Sequence, residues 1–358
     1  MNHDTITLPL RPACPCCSFL PPYIIRQLSE NADPTLRRIA FDTLEVDAAT
    51  RAKRELNPAR VMGRSAVPGV GYRRKVFDME GRDWQLPGTL RRSENGAISD
   101  DATVNQAFDA AGTTYNFYKK VFGRESLDGA GYPLISSVHY GVNVANAFWN
   151  GTQMVYGATD GHFFLPFTGS LGIAAHEMTH GVVNFTTNLA YAGQSGALNE
   201  SFCDAMGVAV EQWHGKQSVA AASWTLGREI VGPGLGDVAG FRSFLAERVF
   251  EDHPVLGTDP QPKHMDAYID MNEDHGGVHV NSGIPNHAFY RAAQALGGNV
   301  WDRTAHIWYE AFTKSLSQNA TFIDAATATA LAAKRLYDDV TAAAVSDAWR
   351  AVGVESEV

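Results

Sequence analysis

Cysteine is scarce in this 358-residue chain and badly placed for a disulfide framework. Three of its four cysteines crowd into Cys14, Cys16 and Cys17, and the fourth, Cys203, stands alone far downstream. A disulfide-stapled fold needs paired, spread cysteines, so the bulk of this chain must be held by its core. Cys14 and Cys17 have C-x2-C spacing, but no second pair exists to complete a zinc knuckle. No run of 18 apolar residues occurs, which excludes a transmembrane helix. The first dozen residues lack both a basic and an apolar stretch, so no ordinary secretory signal is read there. Positive charge is in deficit: 29 Lys and Arg face 39 Asp and Glu, for a net charge of −10. That argues against nucleic acid and anionic membranes as partners and predicts a soluble protein. Internal repeats and low-complexity tracts are also missing.

What is present centres on His176-Glu177-Met178-Thr179-His180. Positions i and i+4 share one helical face, so both imidazoles can reach one metal ion. Glu177 sits about 100° round the helix, where it can address a metal-held water without being a ligand. This H-E-x-x-H pattern is a zinc-protease signature. A proline-free apolar stretch from Leu171 to Phe185, with Thr168-Gly169-Ser170 ahead of it as cap, predicts the helix.

Catalytic zinc usually has three protein ligands and an open position. The next carboxylate in helical context is Glu200. Gly193 to Gly196 reads as a loop, and a second helix is expected from about Leu198 to Trp213. Packed antiparallel on the first, that helix brings Glu200 to the two histidines. Asp204, four residues on, lies on the same side and can accept the outer ring N–H of His176 or His180, fixing the tautomer.

These residues, with Gly196-Ala197-Leu198-Asn199-Glu200, Asn146-Ala147-Phe148-Trp149-Asn150-Gly151 and Gly276-Gly277-Val278-His279, resemble the thermolysin family of zinc endopeptidases. The resemblance covers roughly residues 75–358, with the blocks in the family's order. The short amino-terminal segment containing Pro21-Pro22-Tyr23-Ile24 is similar to the protealysin-like branch. The resemblance implies one zinc held by His176, His180 and Glu200, and Glu177 as general base. It implies oxyanion stabilisation by His279 and Tyr191, with Asp274 orienting His279, and support of the ligand histidines by Asn199 and Asp204. Asn146, the backbone of Ala147, and Arg242 would hold the peptide. Phe164, Phe167, Ile173, Leu226 and Phe241 would line an apolar pocket for the residue after the cleaved bond. Phe167 and Phe241 stand where the family often has leucine, which implies a narrower pocket.

The chain also departs from the family. Glu211 and Glu229 match two acids of its paired calcium site, but Gly172, Ser223 and Arg228 replace three others. Calcium needs six to eight oxygens, so the paired site is expected to be lost, with Arg228 pairing Glu211 or Glu229 instead.

The expected organisation is α+β and thermolysin-like. Residues 1–60 read as a short propeptide and 61–75 as a Gly/Pro-rich linker and cleavage region. Residues 76–188 read as a β-rich lobe ending in the zinc helix, and 189–358 as a mainly helical lobe. Further helices are expected at 34–56, 104–122, 283–296, 300–316, 321–337 and 341–351. The reading is a zinc endopeptidase made as an autoprocessed zymogen, acting on proteins or peptides. Its propeptide serves as intramolecular inhibitor, either through a thiolate of Cys14, Cys16 or Cys17 on the zinc or through Pro21-Pro22-Tyr23 filling the cleft. A monomer exported without a leader is expected, with cytoplasmic residence as the alternative. An aminopeptidase and a non-catalytic zinc module are the rival readings.

Overall fold

The computed structural model describes residues 17–56 and 73–358, with side chains described for 18–50 and 73–358. Cys14 and Cys16, the Cys17 side chain, and residues 57–72, which take in the end of the expected propeptide and most of the expected linker, lie outside that description, and with them the thiolate idea.

The amino-terminal part forms β1 (Cys17–Ser18), α1 (Pro22–Glu30) and α2 (Pro34–Leu56). Next come β2 (Arg74–Asp78), β3 (Thr89–Ser93), α3 (Ala102–Phe122), β4 (Leu134–Tyr140), β5 (Ala147–Trp149) and β6 (Met154–Gly157). The strands make one mixed six-stranded sheet in the order β1-β5-β6-β4-β2-β3. β2 therefore begins at Arg74, and the boundary drawn at residue 75 falls inside a strand. Arg74 is anchored there by Glu94, a bidentate pair beneath α3.

α4 (Leu171–Asn184) carries the H-E-x-x-H motif, and Ser170 Oγ caps it by accepting the Ile173 N–H. α5 begins at Gly193 and runs to Gly215, so the stretch from Gly193 to Gly196 is helix rather than loop. Packing explains the difference. A Cβ on Gly196 would lie 2.4 Å from Val278 Cγ1 and 3.0 Å from the Tyr191 carbonyl carbon. Glycine is there for close approach, not to break the helix.

The carboxyl-terminal part holds β7 (Thr225–Leu226) paired with β8 (Arg242–Ser243), then α6 (Asp274–Asn281), α7 (Gly283–Leu296), α8 (Thr304–Lys314), α9 (Phe322–Leu336) and α10 (Asp339–Arg350). Its core includes Trp308 stacked on Trp349 and Phe202 stacked on Phe312. α4 and α5 lie side by side at the centre, and both are buried along nearly their whole length. That explains the lack of a clean amphipathic period: a helix covered on all sides is apolar all round. The motif helix thus lies between the sheet and the helical part, where a cleft can form.

Candidate active site

Helix geometry puts His176 and His180 one turn apart on α4, with Nε2 to Nε2 at 3.1 Å. Glu200 on α5 completes a triangle: its carboxylate is 3.5 Å from His176 Nε2 and 3.4 Å from His180 Nε2. A tetrahedral zinc with bonds of 2.0–2.1 Å has its ligand atoms about 3.3 Å apart. The three side chains are buried and already at that spacing, so they fit zinc.

The outer nitrogens are fixed as well. His180 Nδ1 faces Asn199 Oδ1 at 3.0 Å, and His176 Nδ1 faces Asp204 Oδ1 at 2.8 Å. Each contact keeps the proton on Nδ1 and turns the Nε2 lone pair to the shared centre. Burial, with Glu200 opposing and His176 adding, pushes His180 down to about 3, so it stays the neutral ring a metal requires. Burial acts to raise Glu200, but His279, His180 and Arg242 outweigh it and hold it ionised, well below the usual carboxylate range. The Cys203 Sγ lies 3.2 Å from His180 Nδ1, and burial pushes its thiol well above the ordinary value. It remains a neutral, inert filler.

Glu177 lies on the adjoining face, its Oε2 accepting the Trp149 N–H at 2.9 Å. β5 thereby aims the carboxylate beside the metal triangle. On the other side stands His279, from α6. Asp274 to Gly277 all have positive φ, between 51° and 87°. This left-handed turn, which Gly276 and Gly277 adopt freely, swings Asp274 back over His279. Asp274 Oδ2 accepts the His279 backbone N–H at 2.8 Å, and its Oδ1 lies 2.6 Å from His279 Nδ1. Burial pulls His279 down, but Asp274 and Glu200 outweigh it and the net shift is upward, towards imidazolium. The Tyr191 hydroxyl sits 3.1 Å from His279 Nε2 and donates to Glu200, and burial keeps it a neutral phenol.

Arg242, from β8, is wholly buried, donating to Asp204 at 2.7 Å and to Glu200 at 3.0 Å. Glu177, Tyr191, Asn199, Asp204, Arg242, Asp274 and His279 are thus gathered around the His176–His180–Glu200 triangle. The expected partnership of Arg228 is different. Among the described residues, Arg228 makes no contact of ion-pair length with Glu211 or Glu229. Glu211 instead turns inward, its Oε1 accepting the Gly172 N–H at 2.9 Å. A Cβ on Gly172 would lie 2.4 Å from that oxygen, so the missing side chain made the room.

Sequence reasoning offered Pro21-Pro22-Tyr23 as the occupant of the cleft and missed Phe19. Phe19 is fully buried, with its ring edge-on to Phe167 and to His176. The ring also packs on Gly227, where a Cβ would come within 3.2 Å of it. Phe164 stacks on both Phe167 and Phe241, and Ile173 and Leu226 are buried in the same cluster. The pocket expected to be narrow thus takes a whole phenyl ring. Pro21 caps α1 and Pro22 starts it just beyond, with Tyr23 packed against the core, so the apolar pocket itself is filled by the residue two places before the prolines. Phe19 stands two residues before Pro21-Pro22, and no local pattern marks it for the pocket.

Comparison with known proteins agrees with this geometry. The chain matches the thermolysin metallopeptidase catalytic domain over residues 59–184 and that family's α-helical domain over 187–354. It belongs to the thermolysin metallopeptidase family. It is 41% identical over 342 residues to an extracellular metalloprotease of Pectobacterium carotovorum, covering 95% of this chain and 97% of that one. Against a bacillolysin of Bacillus amyloliquefaciens it is 38% identical over 286 residues, spanning 78% of this chain and half of that longer protein. Among solved structures it resembles the precursor of protealysin, a metalloproteinase from Serratia proteamaculans. The TM-score there is 0.85 at 40% identity, covering 94% and 99% of the two chains. Thermolysin-family proteases are zinc endopeptidases, and this chain is a metalloprotease with their fold, a β-sheet part followed by a helical part.

Proposed function

We propose that the chain is a zinc-dependent endopeptidase that cuts internal peptide bonds on the amino side of hydrophobic residues and matures by processing its own amino-terminal segment. The observation carrying this reading is the buried His176–His180–Glu200 triangle at tetrahedral spacing, with a carboxylate on one side and an imidazole on the other. His176, His180 and Glu200 would hold one zinc. Bound zinc supplies a Lewis acid and lowers the pKa of its water from about 15.7 towards 7.

The remaining chemistry belongs to the chain. Glu177, steadied by the Trp149 N–H, accepts the proton of the attacking water and passes it to the leaving nitrogen. His279, kept towards its charged form by Asp274, and the neutral Tyr191 phenol donate to the carbonyl oxygen as it gains negative charge. Asn146 and the Ala147 carbonyl align the peptide along β5. Arg242 grips the carbonyl after the cleaved bond. The Phe164, Phe167, Ile173, Leu226 and Phe241 pocket takes the apolar side chain there. A merely structural zinc site has no use for Glu177 or His279, which disfavours a binding module.

The inward-turned Glu211 supports a chain without the paired calcium site: burial first, then Glu229, raises it to about 8, the opposite of a calcium-bound carboxylate. Export is supported by the relatives named extracellular, and no helix among the described residues is long and apolar enough to cross a membrane. A chain without nucleic-acid partners fits the net charge of −10, and a monomer is the state proposed.

Casein hydrolysis by the matured chain tests the reading. A zinc chelator is expected to abolish it and one equivalent of zinc to restore it. Undiminished hydrolysis after metal removal would overturn it.

A further inference from the structure

The segment in the cleft is threaded like a substrate. β1 pairs antiparallel with β5, with Cys17 opposite Trp149 and Ser18 opposite Phe148. The Ser18 carbonyl oxygen lies 3.0 Å from His279 Nε2, the donor set for the oxygen of an attacked carbonyl. One residue on, the Phe19 N–H donates to the Ala147 carbonyl at 3.1 Å and the Phe19 carbonyl accepts from Arg242 at 2.6 Å. The Leu20 N–H donates to Asn146 Oδ1 at 2.9 Å. The Phe19 ring fills the apolar pocket. Each group proposed to hold a substrate thus holds the corresponding atom of residues 18–20, with the Ser18–Phe19 peptide bond at the reacting position.

The chain after that bond is firmly anchored. Ile24, Ile25, Leu28, Leu36, Ile39 and Ala40 of α1 and α2 are buried in the main core. The Asn31 amide donates to the Pro254 carbonyl, and Thr43 Oγ1 accepts the Ala145 N–H. Fully burying such apolar side chains stabilises by roughly 1.5–3 kcal/mol each, so the carboxyl-side piece is anchored independently of residues before Phe19.

We propose that Ser18–Phe19 is a cleavage site of the enzyme in its own chain, and that the chain beginning at Phe19 stays in the cleft after the cut as a bound product that keeps the enzyme latent. This rests on the endopeptidase reading above. In the step, water adds across the bond: its OH goes to the Ser18 carbonyl carbon, a proton reaches the Phe19 nitrogen through Glu177, and the C–N bond breaks with no redox change. The new Phe19 amine remains beside the Ala147 carbonyl. The piece is still joined to the catalytic part through residues 57–72, so it competes as an intramolecular ligand at an effective concentration on the order of millimolar. Latency then depends on residues 19–50 and ends only with a second cut. The cysteine-rich head is dispensable for it.

Intact-mass and amino-terminal analysis of the full-length, zinc-loaded chain over time tests this. The expected result is a species beginning at Phe19 in the wild type and none in Glu177→Gln. Its casein activity should stay at least about tenfold below that of enzyme lacking residues 19–50. Hydrogen exchange on the metal-stripped full-length chain gives a readout without activity. The Phe19 and Leu20 amides should be protected, and should lose protection in Phe19→Asp but keep it in Phe19→Leu. The proposal is overturned if matured enzyme hydrolyses casein but no Phe19 terminus forms. It is overturned equally if the Phe19 species is at once fully active, if Glu177→Gln is cut as fast as wild type, or if the two amides exchange freely. Failure of matured, zinc-loaded enzyme to hydrolyse casein would instead overturn the endopeptidase reading itself.

Discussion

Asp274 touches His279 twice, through the backbone N–H and through the ring, so it sets both position and charge of the imidazole. Replacing Asp274 with Asn keeps the shape and removes the charge. Steady-state kinetics should show kcat/KM lower by about 10–100-fold with KM little changed, the usual cost of removing such a support. The zinc triangle was legible in the sequence because helix geometry alone fixes residues four apart on α4. Asp274 came from the family resemblance, which names it as orienting His279; no local rule yields its reach, which depends on four consecutive positive φ values. Only the Gly276-Gly277 pair hinted at that turn. Phe19 in the pocket was invisible for another reason: no local rule links residues 126 positions or more apart, as Leu20 and Asn146 are.

Between α4 and α5 the fit is tight where Gly207 faces Gly172. A Cβ on Gly207 would stand 2.8 Å from the Gly172 carbonyl oxygen and 3.5 Å from His176 Cβ. Gly207→Ala gains about 1 kcal/mol in helix propensity but forces the helices apart, at a cost of about 1–3 kcal/mol. The expected outcome is a melting temperature lower by a few degrees and weaker zinc retention, read by calorimetry and metal titration. The helices at 34–56 and 283–296 were readable from flanking Pro or Gly, and the one at 321–337 from its Ala-rich run behind the Thr321 cap. The start of α5 was misread because Gly193 and Gly196 look like a loop until Tyr191 and Val278 are seen against them. β1 was missed because two residues carry no periodicity, and the strand exists only as an addition to the edge of β5.

Across the whole molecule, charge couples stability to pH through Glu211. Its folded value is raised to about 8 from an ordinary 4.5 by burial and by Glu229, so between those values the folded state holds a proton that the unfolded state has lost. Stability from this group is complete below about pH 4.5 and is lost as pH rises towards 8. Glu211→Gln should flatten that decline and add on the order of 2 kcal/mol at pH 8, seen as a higher melting temperature there but not at pH 4. Added calcium should shift neither protein. The central claim is narrower: Glu177 drives peptide hydrolysis without holding the metal. Its most direct test is Glu177→Gln with the amino-terminal segment removed in trans by wild-type enzyme, assayed together for bound zinc and casein hydrolysis. The account predicts one zinc per chain, as in wild type, and a rate lower by about 10²–10⁴-fold. Zinc bound with hydrolysis within tenfold of wild type would contradict it.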